Sequence, residues 1–353
     1  MAINLHEKYS DKIKQVYTHN SFVEGKTNQE YSFVGVKTVK IPNLITQDLN
    51  DYQRTGTNRY GTPNELQDAM QELSVTQDKS FAITIDKGNN VEQQMMKQAG
   101  RVMEAEMREK VTPTSDKYAL AQYAANAGHT IAYDAAVAKS NIISKLLDIE
   151  VYFEDSFVPT DRRYVFVKNT HIAMIKLSSE FQYADSAVDK LLMKGIVGKI
   201  GTLNIVGVPA AYMPTNVEHI AFQSNSVMLP FKIKDSRIHQ DPPGLSGHLL
   251  EGRFMYDAFV IGAICDGVVV VVAKDKKCAT PTVTKGTTTT ITTTTSDAEV
   301  YYTTDGSDPR WSTTRTKYSA AIANPTAGTI IKAYATYVSG NMYPSDVVTH
   351  KCV

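Results

Sequence analysis

The sequence predicts an α+β body followed by a separate all-β module. Composition changes near Lys276: no Leu, Phe or Gln occurs from Asp275 to Val353, and eleven threonines lie between positions 280 and 295. Threonine is β-branched and favours the pleated surface of a sheet, so this stretch excludes a helical core. Before the break, one strongly helical region is followed by short β-type runs, which is typical of α+β folds and not of alternating βαβ units. A chain of 353 residues is also long enough for two or three domains.

The first 86 residues predict an arm and a long loop. Positions 1–30 are polar and weakly patterned, which predicts an arm that orders only against something else. β-type residues predict a strand between Tyr31 and Ile41 and an answering strand between Phe81 and Ile85. The polar excursion between them contains a short helix predicted to start at Thr62 and Pro63. Such a long excursion wraps a partner or forms a lid.

The clearest helix is predicted from about residue 90 to 109, where apolar residues recur every three or four positions. Its methionines are interpreted as core packing. Thr112 and Pro113 are predicted to end it, and Ser115 and Asp116 to cap a second helix running to Ala127. The helical pattern continues over 131–147.

From residue 152 onward the pattern predicts β-strands. A tight turn is expected at Asp266-Gly267, between the last two of them. The predicted runs are 163–168, 173–177, 202–208, 226–232, 252–264 and 268–273.

Charge and cysteine content exclude several functional classes. The 37 basic residues balance the 37 acidic ones, so there is no basic footprint for nucleic acid and no polybasic patch for a membrane. The sequence shows no signal-peptide segment and no run of 18 apolar residues, which predicts a soluble protein made in a cytosol. Cys265, Cys278 and Cys352 are interpreted as reduced thiols.

No pattern predicts catalysis, a metal or a cofactor, and the protein is predicted not to be an enzyme. The glycines between Gly195 and Gly201 have neither the spacing nor the strand-to-helix order of a phosphate loop, so a turn is expected. The eight histidines show no metal-ligand spacing. Carboxylates such as Glu154, Asp155 and Asp161 are as readily solvated loop residues as an acid and base. The segment 305–309 lacks the acids of a calcium loop and predicts a hairpin turn.

Several segments, in their order along the chain, resemble major capsid proteins of tailed phages with the Hong Kong 97 phage-type (Johnson) fold. The resemblance covers residues 1–274, here called the body. It rests on 116–118 (DKY), 161–167 (DRRYVFV), 195–201 (GIVGKIG), 220–222 (IAF), 251–258 (EGRFMYDA), and Gly267 with its valine-rich strand. It implies an N-terminal arm at 1–30, an extended β loop at 31–86, and a core at 87–274 with a spine helix and peripheral and axial domains.

The remainder, 275–353, resembles the chitobiase C-terminal type of immunoglobulin-like β-sandwich and is here called the C-terminal domain. The resemblance rests on 300–309 (VYYTTDGSDP), Tyr318 and 331–335 (IKAYA). Trp311 could stack on a sugar, with Asp305 and Asp308 as further candidate contacts of a surface ligand. The alternative is that Trp311 fills a small domain core.

The resemblances imply a phage major capsid protein, self-assembled as hexamers and pentamers into an icosahedral shell around the DNA, with the C-terminal domain displayed outside. They imply a virion protein assembled in the host cytoplasm. Scaffolding, portal and decoration proteins, DNA bound without sequence specificity, and host-surface glycans are the implied partners. Apolar residues of the loop are expected to contact neighbouring subunits, because the loop has little core of its own: Leu44, Leu49, Leu66, Met70 and Leu73. An encapsulin-like compartment and a secreted carbohydrate-binding or carbohydrate-active protein are the alternatives.

Overall fold

The computed structural model describes residues 20–31, 33, 36–45, 49, 51–61, 65, 67–92, 98–178, 196–337, 339 and 341–352. The α-helices are α1 Lys87–Glu92, α2 Ala99–Glu106, α3 Thr112–Ala125, α4 Ile142–Asp155 and α5 Asn169–Lys176. The strands of the body are β1 Thr38–Ile45, β2 Gln67–Ser74, β3 Gln77–Asp86, β4 His129–Tyr133, β5 Arg163–Lys168, β6 Ile196–Ile200, β7 Leu203–Val208, β8 Val217–Gln223, β9 Val227–Met228, β10 Phe231–Gln240, β11 Gly247–Tyr256, β12 Phe259–Val260 and β13 Val268–Ala273.

A six-stranded mixed sheet, in the order β4-β13-β8-β5-β7-β6, forms the centre of the body. Strand β13 is a run of valines, at most 1% exposed from Val268 to Val272, because both faces of the sheet are covered. Val268, Val270 and Val272 pack in the cluster that contains Tyr123 of α3. Val269 and Val271 point to the other face, where they join the cluster formed by α4 and α5.

The long helix of the body runs on where the sequence predicts a break. Helix α2 continues through the π-helical turn Met107–Val111 directly into α3, with helical backbone at Thr112. The predicted end at Thr112 and Pro113 is therefore wrong. A proline removes one hydrogen bond from a helix, and the wider π-turn just before Pro113 is the place where the helix accommodates that loss. Residues 93–97 of the predicted helix lie outside the described residues.

Asp116 anchors the N-terminal segment instead of capping a helix. Its carboxylate accepts hydrogen bonds from Ser21 Oγ at 2.6 Å and from the Phe22 backbone N–H at 2.7 Å. Burial raises the pKa of Asp116, although these two hydrogen bonds act in the opposite direction. Phe22 and Val23 are buried in the core beside α3. The described part of the predicted arm therefore packs on its own body, and positions 1–19 lie outside the described residues.

The extended loop is a β-hairpin, β1 with β2, in register from Thr38 opposite Ser74 to Ile45 opposite Gln67. Strand β3 instead pairs with β11, which also pairs with β10, so the two strands predicted at 31–41 and 81–85 do not meet. The helix start predicted at Thr62 and Pro63 lies outside the described residues.

Two further assignments are wrong because tertiary contacts override local patterns. The predicted helix 131–147 begins as a strand, β4, which lies parallel to β13 at the edge of the central sheet. The predicted strand 173–177 is part of α5, whose Ile172 and Ile175 are three positions apart and face the core together. The strands predicted at 163–168, 202–208 and 268–273 are confirmed.

The C-terminal domain is all-β. Its strands are β14 Thr282–Lys285, β15 Thr289–Thr292, β16 Glu299–Thr303, β17 Thr316–Lys317, β18 Ile330–Thr336 and β19 Val348–Lys351. They form one sheet of β14 with β15 and another in the order β17-β16-β18-β19. Ile291, Val300 and Ile331 form its core together with the buried thiols of Cys278 and Cys352. Among the described residues, no helix is long and apolar enough to cross a membrane.

Candidate functional site

The distal part of the β1–β2 hairpin exposes apolar side chains. Leu44 is 60% exposed, Leu49 fully exposed and Met70 41% exposed. Tyr52 and Tyr60 lie on the same excursion with ring centroids 5.0 Å apart, and both are largely exposed. The hairpin thus presents apolar groups that the described residues of the chain leave exposed. Leu66 lies outside the described residues.

The base of the hairpin is held by the body, and this corrects the prediction for Leu73. Residues Ala69, Gln71 and Leu73 alternate onto one face of β2 and are all buried. Leu73 is 4% exposed and packs with Phe33 and Ile41, so it is not available to a neighbouring subunit. Gln71 donates to the Val260 carbonyl and accepts from the Gly262 backbone N–H at 2.7 Å.

The hairpin 303–315 of the C-terminal domain is held by its own polar groups. Asp305 accepts hydrogen bonds from the Ser307 backbone N–H at 2.9 Å and from Thr314 Oγ1 at 2.7 Å. Burial opposes ionisation of Asp305, but the hydrogen bonds from Ser307 and Thr314 outweigh it and lower its pKa. This pattern is the predicted turn with aspartate bonded to local backbone.

Arg310 joins this hairpin to the body. Its guanidinium donates to both carboxylate oxygens of Asp308, with Nε 3.0 and 2.9 Å away. It also donates to the Gly128 carbonyl and lies 3.7 Å from Asp266. Asp308 therefore orients an arginine that bridges two domains, and its carboxylate is engaged within the chain.

Trp311 packs against the body. Its indole ring lies against Gly262, where an added Cβ would approach the ring to 2.2 Å. The ring packs on the buried cluster beside α3. The ring is half-buried against the core of the body, and it also lines the cleft between the domains. Contact of Trp311 with a surface ligand therefore stays a prediction. Asp305 and Asp308 spend their carboxylates on contacts within the chain.

A second group of contacts fixes the other side of the domain interface. Tyr343 is buried in the core of the body, and its hydroxyl donates to the Thr215 carbonyl at 2.7 Å. Asp346 forms an ion pair with Lys277 at 2.6 Å, and His129 Nδ1 lies 3.0 Å from the other carboxylate oxygen of Asp346. Burial raises the pKa of Asp346, but Lys277 and His129 outweigh it and hold that pKa at about 2.

The interface also touches the extended hairpin. The Thr313 backbone N–H donates to the Met70 carbonyl at 3.1 Å, so the C-terminal domain braces β2 on the side away from β1. A cleft of about 700 Å³ lies between the domains, lined by Gln71 and Tyr118 of the body and by Arg315 and Tyr334 of the C-terminal domain. Sequence reasoning missed this interface, because only the adjacency of Arg310 and Trp311 to the hairpin signals it.

The other segments considered for phosphate, thiol or metal chemistry have structural roles. Residues 196–208 form strands β6 and β7, so Gly198 lies within a strand where a turn is predicted. The turn falls at Gly201, whose φ is 52°. The Glu150 carboxylate occupies this turn, accepting from the Thr202 N–H at 2.7 Å, which disfavours a phosphate. Burial raises the pKa of Cys265 to about 12. Within the described ranges, no group of three or more histidine, cysteine or acidic side chains is arranged to hold a metal.

Solved structures with the same architecture come from phages. A structure from Mycobacterium phage Che8 matches with a TM-score of 0.60 at 19% identity, covering 76% of this chain and 96% of its own. The mature capsid of bacteriophage PhiM1 matches with a TM-score of 0.58 at 13% identity, covering 77% and 93%. The capsid structure of the cyanophage P-SCSP1u matches with a TM-score of 0.56 at 12% identity, covering 76% of this chain and 92% of its own.

The body has a phage capsid fold. This confirms the fold predicted from the ordered segments of the sequence. Residues 278–349 match the family described as the chitobiase/beta-hexosaminidase C-terminal domain, which confirms the second resemblance. No curated protein matched the chain. The chain therefore combines a capsid-fold body with a C-terminal domain of a different fold, and Arg310, Trp311 and Tyr343 join the two.

Proposed function

We propose that the chain is the major capsid protein of a tailed bacteriophage, which assembles into the icosahedral shell enclosing the DNA genome. One observation carries the proposal. The phage structures that match this chain are covered over 92–96% of their own length, so the matched part corresponds to nearly the whole of each phage chain. At identities below 20% the similarity establishes the fold, and function is inferred from that fold together with the surface of the hairpin.

The exposed hairpin supports assembly through hexamers and pentamers. Leu44, Leu49 and Met70 project from a two-stranded ribbon that cannot bury them itself. Obligate assemblies have large apolar interfaces, and a ribbon laid over an adjacent subunit supplies one. We therefore propose that these three residues, and Leu66, contact neighbouring copies.

The other partners follow from the same role. A net charge of zero suits an inner surface that packs DNA without sequence specificity and without binding it irreversibly. Scaffolding, portal and decoration proteins would join the shell during assembly in the host cytoplasm, and the mature protein would reside in the virion. The chain's own chemistry in this role is non-covalent association, and no enzymatic step is required.

We further propose that the C-terminal domain faces outward. A bulky module on the inner surface would occupy genome space. If this domain binds host-surface glycans, Trp311 can offer only the part of its ring that lines the cleft between the domains, because the rest packs on the body. A labelled C-terminus located by electron microscopy tests the orientation, and density inside the shell would contradict it.

Sedimentation of the purified full chain, followed by electron microscopy, tests the capsid proposal. We expect large closed or open shells without added metal or nucleotide. A monomer under all native conditions would exclude the proposal. An encapsulin-like compartment would also form shells, and the presence of phage DNA in shells from infected cells separates the two.

A further inference from the structure

Helix α4 ends in a backbone conformation that favours glycine but carries a phenylalanine. Phe157 has a φ of 54°, in the left-handed region. Its N–H donates to the Glu154 carbonyl at 3.0 Å, and the Val158 N–H donates to the Phe153 carbonyl at 2.8 Å. These two hydrogen bonds form a Schellman motif, in which the left-handed position is usually glycine. A bulky side chain there is a genuine outlier and costs folding free energy.

Burial does not compensate for this cost. The Phe157 side chain is 93% exposed, so it contributes almost nothing to the core of the chain that carries it. Glycine would relieve the backbone and remove an exposed aromatic ring. No contact within the described part of the chain gives a reason for phenylalanine at this position, which points to a contact outside the subunit.

The loop that carries Phe157 is held rigidly. Arg163 is fully buried, and its guanidinium donates to the carbonyls of Val158 at 2.5 Å and Pro159 at 2.9 Å. The same guanidinium donates to Thr202 Oγ1 at 2.8 Å. An aromatic side chain on a fixed loop loses little entropy on binding, which is the property of an interface anchor.

The outer face of α4 extends the apolar surface. Leu147 and Val151 lie four residues apart, on one side of the helix, and are 41% and 55% exposed. Glu154 follows on the same side, and the exposed Asp148 and Asp155 flank it. The outer face of α4 is therefore apolar with an acidic rim, and Phe157 follows just beyond the end of this helix. The face and Phe157 together are here called the α4 patch.

We propose that this α4 patch, anchored by Phe157, binds a second copy of the chain in a head-to-tail contact that closes the rings of the shell. The proposal rests on the proposed capsid function. Two acidic rims would repel each other across a two-fold axis, so the patch pairs with a different surface of the neighbouring copy. A surface complementary to the α4 patch needs a basic group beside an apolar one. The end of α5 offers both on the neighbouring copy, since Lys176 is exposed and Leu177 next to it is 67% exposed.

The test compares full-length wild-type protein with Phe157→Gly. We expect the melting temperature of dispersed subunits to stay the same or rise slightly, because glycine relieves the left-handed backbone. We expect the critical concentration for assembly to rise about tenfold or more, because an anchor is lost. Asp297→Gly is the matched control. Asp297 is also exposed and has a φ of 59°, but it lies in the C-terminal domain, so this change should leave assembly unaltered.

The outcomes separate this contact from the capsid function. Normal assembly of Phe157→Gly beside normal wild-type assembly would overturn the contact and leave the capsid proposal standing. A marked fall in its melting temperature would also overturn the contact, because the ring would then serve the fold. Small oligomers that depend on Phe157, formed by a wild-type protein that never closes shells, would support the contact and exclude the shell.

Discussion

Replacing Gly262 with alanine should undock the C-terminal domain without unfolding either domain. The added Cβ would lie 2.2, 2.3 and 2.7 Å from three ring atoms of Trp311. Ordinary contact begins near 3.4 Å, so the ring has to withdraw by about 1.2 Å. Trp311 is bulky, and Arg310 beside it is bonded to both Asp308 and Gly128, so the hairpin cannot move one side chain alone.

The expected cost follows from overpacking a tight contact. Inserting one methyl group into a well-packed site typically costs about 1–3 kcal/mol. The interface can release this strain by separating, since the C-terminal domain keeps its own core around Ile331. Separation instead exposes Trp311 and Tyr343 to water. The free energy lost by this exposure is of similar order to the strain of the overpacked contact.

The chain has a single tryptophan, so its fluorescence reports on this interface alone. We expect Gly262→Ala to shift the emission to longer wavelength and to increase quenching by acrylamide, with an unchanged circular dichroism spectrum. Gly100→Ala is the control, because a Cβ there meets nothing within 4 Å. Unchanged emission and quenching in Gly262→Ala would refute the proposed packing of Trp311 against this glycine.

Three further predictions concern stability and assembly. His219 is fully buried, and burial lowers its pKa from 6.5 to about 3. Between these two pH values the unfolded chain binds a proton at His219 that the folded chain does not bind, so the stability of the fold decreases as the pH falls. When the pH is lowered from 7 to 4.5, the free energy of unfolding of dispersed subunits in urea should fall by about 2–3 kcal/mol more in the wild-type chain than in His219→Leu. Equal decreases in the two proteins would contradict this prediction. Replacing residues 46–66 by an Asn-Gly turn should keep the β1–β2 register and the circular dichroism spectrum but block assembly; normal shells on microscopy would exclude an inter-subunit role for this part of the hairpin. A chain ending at Ala273 should fold and assemble, but with a lower melting temperature because the surfaces under Trp311 and Tyr343 become exposed, while residues 276–353 fold alone; failure of the truncated body to fold would show that the domains are interdependent.

Sequence predicted the elements whose burial is set by their own pattern. The valine run of β13 indicates a strand covered on both faces, and its alternate side chains do enter two different cores. The composition break at Lys276 located the C-terminal domain, because threonine-rich segments exclude a helical core.

The predictions from sequence failed where contacts between residues far apart in the chain determine the local structure. Short apolar runs suit a helix or a strand equally, so α5 was mistaken for a strand and β4 for a helix. Leu73 was mistaken for a surface residue because the sequence does not show which face of β2 lies against the body. In the structure Leu73 is on the face that packs, with Ile41, against the body. Trp311 and Gly262 are 49 positions apart in sequence, and no local pattern indicates that a hairpin from one domain packs against the other. Phe157 was overlooked because its signal is a backbone angle.

The assembly state of the purified full chain tests the central claim most directly. Electron microscopy with analytical sedimentation should show closed or open shells in which the β1–β2 hairpin of each subunit overlies its neighbour. A chain that remains a folded monomer across native pH, salt and concentration, with its hairpin exposed to solvent, would contradict the capsid assignment.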